Sequence, residues 1–413
     1  MAGAAAIKAV TGKKGGSRRL WWTVHQWVGL KLSLFLAFVL FTGTLAVLSA
    51  EIDWLLHPTL RVAPASVHGP PRWDRIAEGA AAHPGVESIS YLAKPTASAF
   101  AARVAFQRTD GGGGYLHVHP TTGRVQGEQG FVDAQRVLRN LHRHLNLPTK
   151  YGIPIVGSLS ILLLISLVTS FVVYRKWWRG FFKPIRMRDV RTAWGDFHRL
   201  AGVWSLWFVA LIALTGLWYL VEVLGGDAPA LPRPAAEVAA LPAKATVADV
   251  AGLLGESLAA ARQADPALDI ESIQFPSKRS GAFVFQGQKS AWLVRPRANA
   301  AWVDAKTTRV MMMSDARALS VHQRISEMAD PLHFGNFAGY WTKIPWFLFG
   351  LLMTGLALSG AAIYSHRIAH SARVVAERPI WNGIWRGMGR WRWLSAALIA
   401  IGCIMIGAML TAG

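Results

Sequence analysis

Apolar residues gather along this chain into five uncharged stretches, Leu32–Ala50, Tyr151–Tyr174, Leu200–Val221, Ile344–Tyr364 and Trp393–Gly413. A helix needs about 20 such residues to cross a bilayer, so the pattern predicts five membrane spans. Two longer segments, 51–150 and 225–340, alternate apolar and polar positions instead. In each, a helix-like run (Trp73–Ala82, then Val247–Arg262) precedes short β-branched and aromatic runs separated by turn residues. That order predicts a small α+β unit, one helix laid on an antiparallel sheet. The stretch DAPALPRPAAEVAALPAK (227–244) reads as an extended linker, and Gly111–Gly114 as a flexible loop without a function.

Charge orients this layout. The chain carries a formal +21, which would fit nucleic acid if it were spread over a folded surface. It is concentrated elsewhere. The first 20 residues hold Lys8, Lys13, Lys14, Arg18 and Arg19 with no acid. The loop 175–197 holds seven Lys and Arg against Asp189 and Asp196, and the loop 365–391 holds Arg367, Arg373, Arg378, Arg386 and Arg390 against Glu377. By the positive-inside rule these three segments are cytoplasmic and the two long mixed-charge segments periplasmic. The expectation is a multi-pass protein of a bacterial inner membrane, N-terminus inside and C-terminus outside, with lipid and not nucleic acid as its surroundings. Span 1 is longer than a signal-peptide core and has no small-residue cleavage site after it, so it reads as an uncleaved anchor. The single Cys403 excludes an intrachain disulfide, a cysteine-ligated iron–sulfur cluster and haem attached through Cys-x-x-Cys-His.

The halves repeat. HQWVG…FTG at 25–43 returns as HRLAG…LTG at 198–216, matching His25/His198, Gly29/Gly202 and Gly43/Gly216 at one offset of 173 residues. LHRHLNLPTKYGIP (141–154) returns as LHFGNFAGYWTKIP (332–345), matching His142/His333 and Pro154/Pro345, with His144 as an alternate to His142. PGVESISYL (84–92) parallels ALDIESIQF (267–275), and HVHPTTGRV (117–125) parallels AWVDAKTTRV (301–310). The fold expected is therefore a membrane α-helical bundle of four core spans in two parallel repeats, a fifth C-terminal span, and two periplasmic α+β domains.

Ionisable residues inside membranes usually mark function, whereas those at helix ends can simply snorkel. On an unbroken helix, steps of 4 and 18 residues return to one face, so His25, Gly29 and Gly43 align, as do His198, Gly202 and Gly216. Glycine on that face admits a bulky group; the alternative is close helix packing with the histidines as interfacial anchors. A two-fold axis through the bundle would set His25 opposite His198 and His142 opposite His333. Opposed imidazoles suit the axial ligation of a low-spin haem, so two haem b groups are expected, with Gly29 and Gly202 lining the inner one and Gly43 and Gly216 the outer one.

Other features carry less. His117 and His119 read as solvated or structural, and His366 and His370 as topological charge near the end of span 4. Met311–Met313 reads as core packing on a strand, because consecutive strand residues point to opposite faces. Tryptophans near span ends read as interfacial belts. The helix centres carry no acid, and the only nearby one, Glu222, sits at a helix end, which weakens a transporter reading.

HQWVG with FTG, HPTTGRV, LHRHL and PLHFGNFAG, in this order, resemble the PepSY-associated transmembrane family over residues 20 to 370. The second hairpin departs from the first, with Thr307-Thr308 where Thr122-Gly123 stands. The resemblance implies an inner-membrane reductase of ferric siderophores, with haem b in the bundle, two periplasmic PepSY domains, and His25, His142, His198 and His333 as haem-iron ligands. The reaction expected is outer-sphere electron transfer from an unidentified cytoplasmic or quinol donor to a periplasmic ferric chelate, with no catalytic acid, base or nucleophile. A redox-silent membrane-anchored binding module is the alternative.

Overall fold

The computed structural model describes residues 13–234, 238–242, 245–277, 279–371 and 380–412. Lys8, Arg373, Glu377, Arg378, parts of the 227–244 linker and the side chains of Lys13, Lys14, Arg367 and His370 lie outside the described residues.

The first span is broken. Helix α1 (Lys13–Lys31) and α2 (Ser33–Val47) meet at Leu32 with a bend of 65°, and α3 (Ser49–Leu56) continues after Leu48. Then come α4 (Trp73–Ala81), β1 (Val86–Ala93), β2 (Ala102–Arg108), β3 (Gly113–Val118), β4 (Val125–Gly130) and α5 (Ala134–His144). The second span is α6 (Thr149–Gly157) with α7 (Leu159–Val173), and the third is α8 (Val190–Trp204) with α9 (Leu206–Val221). The second extramembrane segment holds α10 (Val247–Gly252), α11 (Leu254–Ala264), β5 (Asp269–Gln274), β6 (Ala282–Gln288), β7 (Ala300–Asp304), β8 (Val310–Ser314) and α12 (Val321–Phe334). The chain ends with α13 (Tyr340–Ser371), α14 (Ile380–Gly387) and α15 (Trp391–Ala412).

Four helical stretches, Thr149–Val173, Leu206–Gly226, Tyr340–His366 and Trp391–Thr411, are long and apolar enough to cross a membrane, and the bent α1–α2 pair makes five if it is one span. α7 and α9 are apolar on every side, as helices facing lipid are. The bend corrects one step of the sequence argument. A face shared by His25 and Gly43 assumed an unbroken helix, and the phase is lost at Leu32. The same register is interrupted in span 3, because Leu32 + 173 is Ser205, the residue between α8 and α9, at φ −91° and ψ 1°.

Contacts divide the chain into a helical unit (Met1–Thr42, Arg143–Leu220, Leu348–Cys403) and a sheet unit (Gly43–His142, Val221–Phe347, Ile404–Gly413). In the sheet unit the two α+β segments share one sheet. All eight strands form one antiparallel sheet in the order β4-β3-β2-β1-β5-β6-β7-β8. Each four-stranded meander would leave the edge of β1 or β5 unpaired, and pairing the two edges satisfies those backbone groups. Leu92 opposes Ile273 at this seam, and Phe275 N–H donates to Ser90 O at 3.1 Å. One apolar face collects Leu92, Phe106, Leu116, Ile273, Phe283 and Phe285, all buried, beneath α4, α10 and α11.

The two β3–β4 and β7–β8 turns have the same geometry despite their different sequences. His119 Nδ1 accepts from the backbone N–H groups of Thr121 and Thr122, both at 3.2 Å. In the second turn Asp304 Oδ1 accepts from Lys306 and Thr307 N–H, at 2.8 and 3.2 Å. Gly123 has φ +73° and Thr308, in its place, φ +55°, a left-handed conformation that a threonine adopts only at some cost. β8 is an edge strand, so Met311 and Met312 are half-buried and Met313 is exposed, which corrects their assignment to the core.

Candidate functional site: two histidine pairs

His198 sits on α8, whose start is fixed by Asp189: its side chain accepts from Thr192 N–H at 2.9 Å. His25 sits on α1, before the bend. Both border a cavity of about 1250 Å³ in the helical unit, above the roughly 300–1,000 Å³ of ordinary ligand pockets. Its walls are mostly aliphatic, including Leu36, Leu163, Val209 and Met353, and four arginines (Arg18, Arg19, Arg191, Arg199) also border it. Gly29 and Gly202 line it too. A Cβ on Gly29 would meet nothing within 4 Å, and one on Gly202 would meet only Leu356 Cδ1 at 3.5 Å.

Each of these histidines is held through Nδ1. His25 Nδ1 lies 2.9 Å from Thr169 Oγ1, and His198 Nδ1 lies 3.0 Å from Ser359 Oγ. Neither hydroxyl was singled out in the sequence. The only signal was an isolated Thr and Ser in apolar spans, and such residues usually bond back to their own helix.

In the sheet unit the rings of His142 and His333 face each other, centroids 5.9 Å apart and planes 37° apart. A metal–imidazole bond is about 2 Å, so two imidazoles in line across one metal would place their centroids about 6 Å apart. His333 lies in α12, which opens on a Ser320/Gln323 capping box and closes at Gly335, φ +65°. Burial, then the facing His142, then Arg139 push His333 down to about 3, so it is a neutral imidazole with a lone pair to offer. A Cβ on Gly43 would come within 2.5 Å of His142 Cε1, so this glycine makes the space for that ring.

His142, and not His144, makes the ring contact with His333. His144 Nδ1 is buried without a hydrogen bond among the described residues, and the His144 backbone is packed against Gly152. Gly216 faces Ser160, its added Cβ 3.3 Å from that side chain, which is the close helix packing given above as the alternative. His117 and His119 are buried in the sheet unit, not solvated. His117 Nδ1 bonds Thr59 Oγ1 at 2.8 Å, and His119 Nε2 bonds Ser66 Oγ at 2.9 Å. His366 is half-buried, its Nε2 without a hydrogen bond among the described residues.

The donor sets fit haem better than a bare ion. Among the described residues no group of three or more His, Cys, Asp or Glu could hold a metal ion. A haem brings its equatorial nitrogens and asks the protein only for axial ligands.

No curated protein matches the chain. The family model described as PepSY-associated TM region matches residues 22–367, a stretch that contains both histidine pairs and the whole sheet. The chain therefore belongs to the family of the PepSY-associated TM region.

Proposed function

We propose that this protein is a haem b electron-transfer protein of the bacterial inner membrane, holding one haem between His25 and His198 and another between His142 and His333. It passes electrons from a cytoplasmic or quinol donor to a periplasmic acceptor, the Fe(III) of a ferric siderophore. The carrying observation is that the rings of His142 and His333 meet and that His25 and His198 border one mostly aliphatic cavity, the two members of each pair coming from separate helices. When bound, haem supplies reversible one-electron chemistry at its iron. The chain supplies the rest. His25 and His198 would hold the group at the cavity they border, Gly29 and Gly202 leave its wall open, and the bordering arginines offer partners to anionic carboxylates.

Ferric chelates suit such an acceptor role. Hard oxygen donors hold Fe(III) far better than Fe(II), so reduction alone loosens the metal and asks for no acid, base or nucleophile. The test is a dithionite-reduced minus oxidised absorbance spectrum of the purified protein. A haem b α-band is expected, and its absence overturns the redox reading in favour of a redox-silent binding module. Assays against several ferric chelates then define the acceptor.

A further inference from the structure

Thr169 and Ser359 stand behind the two histidines of the helical unit, both completely buried, one on α7 and the other on α13. We propose that they are positioning residues that set the tautomer, ring orientation and donor strength of His25 and His198, and through them the redox potential of the centre this pair ligates. The proposal rests on the haem reading above.

The hydrogen count carries it. A hydroxyl has one proton. Thr169 Oγ1 gives its proton to the helix backbone, with Ile165 O at 2.7 Å and Ser166 O at 3.0 Å, and Ser359 Oγ gives its own to Leu356 O at 3.1 Å. Each oxygen therefore turns a lone pair toward the imidazole, and Nδ1 must carry the hydrogen that fills it. That leaves Nε2 as the nitrogen with the lone pair. In the opposite tautomer two lone pairs would face each other, or the hydroxyl would abandon its carbonyl inside an apolar wall.

Orientation follows from the same contacts. The partner of each histidine lies on a different span, so helix packing fixes the ring. Gly360, next to Ser359, completes the seat of His198: a Cβ there would come within 3.2 Å of His198 Cε1.

Donor strength follows from the kind of acceptor. A carboxylate behind a ligating imidazole draws its Nδ1 proton and makes the ring a stronger donor, which favours the ferric state. A neutral hydroxyl, itself already donating, does this only weakly. The helical unit thus builds a pair fixed in direction but moderate in basicity, which keeps the ferrous form within reach. His119 is the contrast. Its Nδ1 accepts two backbone N–H groups and its Nε2 bonds Ser66, so no nitrogen remains for a metal.

The test uses Thr169→Val, nearly the same shape without an acceptor, and Ser359→Ala, with Thr169→Ser and Ser359→Thr as rescues. The full-length protein is titrated potentiometrically, and its oxidised form is examined by electron paramagnetic resonance. Thr169→Val and Ser359→Ala should each raise the midpoint potential of one haem, shift that haem's low-spin signal and lower its retention by about 10–100-fold. The second haem and the protein's melting temperature should stay unchanged, and the hydroxyl-restoring variants should recover the original values. Haem bound with unchanged potentials and signals in both variants overturns this proposal alone. Haem missing from the unsubstituted protein overturns the haem reading and this proposal with it. If either variant fails to fold, the potential of its rescue variant and the other histidine's arm still decide.

Discussion

In the helical unit His25 and His198 border an open cavity and each leans on a buried hydroxyl, whereas in the sheet unit His142 and His333 face each other directly, with Gly43 close against His142. The first pair is oriented by hydrogen bonds and has space in front of it. The second is closely packed, its two rings in contact and Gly43 against one of them. The two pairs can therefore be perturbed by different means: the first by removing a polar partner, the second by adding a methyl group.

The largest effect that would test this comparison is loss of a ligand. His25→Ala and His333→Ala should each remove about half of the bound haem, and a different half, as read from pyridine haemochrome content and the reduced spectrum. Complete loss of haem in either single variant would mean that the two sites are not independent.

Acid should separate the units next. His117 is buried in the sheet unit, and its burial, with Arg103 and His57 nearby, lowers it to about 4. In the unfolded chain a histidine titrates near 6.5. Between these values the unfolded state binds the extra proton, so stability is full above about 6.5 and is lost as pH falls through about 4, by roughly 3 kcal/mol in total. Thermal melts across this range should show the sheet unit weakening as pH falls. His117→Asn should flatten the dependence, and an unchanged slope in that variant would count against His117 as its source.

Glycine substitutions sharpen the contrast further. Gly43→Ala places a Cβ on the His142 ring and should cost about 1–3 kcal/mol, displacing that ring and perturbing the haem of the sheet unit. Gly29→Ala meets no protein atom within 4 Å, so the apo-protein should melt as before while haem retention in the helical unit falls. Equal effects of the two substitutions on apo stability would erase the distinction between packed and open sites. The smallest effect is a control. Thr308→Gly relieves a left-handed φ in a turn of the sheet unit and should stabilise it by about 0.5–1 kcal/mol while leaving both haem spectra unchanged.

Much of this was legible in residue order. Runs of apolar residues announce spans because a bilayer tolerates little else, and the internal repeat exposed the paired histidines, His25/His198 at an offset of 173 residues and His142/His333 at 191, because each half carries the same motifs. The turn around Asp304 shows where such reading stops. Thr307-Thr308 looked like a departure from Thr122-Gly123, yet Asp304 takes the place of His119 as acceptor and the backbone follows the same path. The choice between His142 and His144 could not be read from LHRHL either, since two residues that close in sequence compete equally until α5 and α12 place one ring against His333.

The sequence by itself determined where the apolar stretches fall, the strand-bearing segments and the positions of four matched histidines, because these depend on local composition and periodicity. The tertiary structure alone decided that eight strands share one sheet, that span 1 bends at Leu32, and that Thr169 and Ser359 stand behind His25 and His198. The seam and the two hydroxyl contacts join residues 144 to 183 positions apart, and no local pattern encodes which distant edge or hydroxyl a chain will meet when it packs.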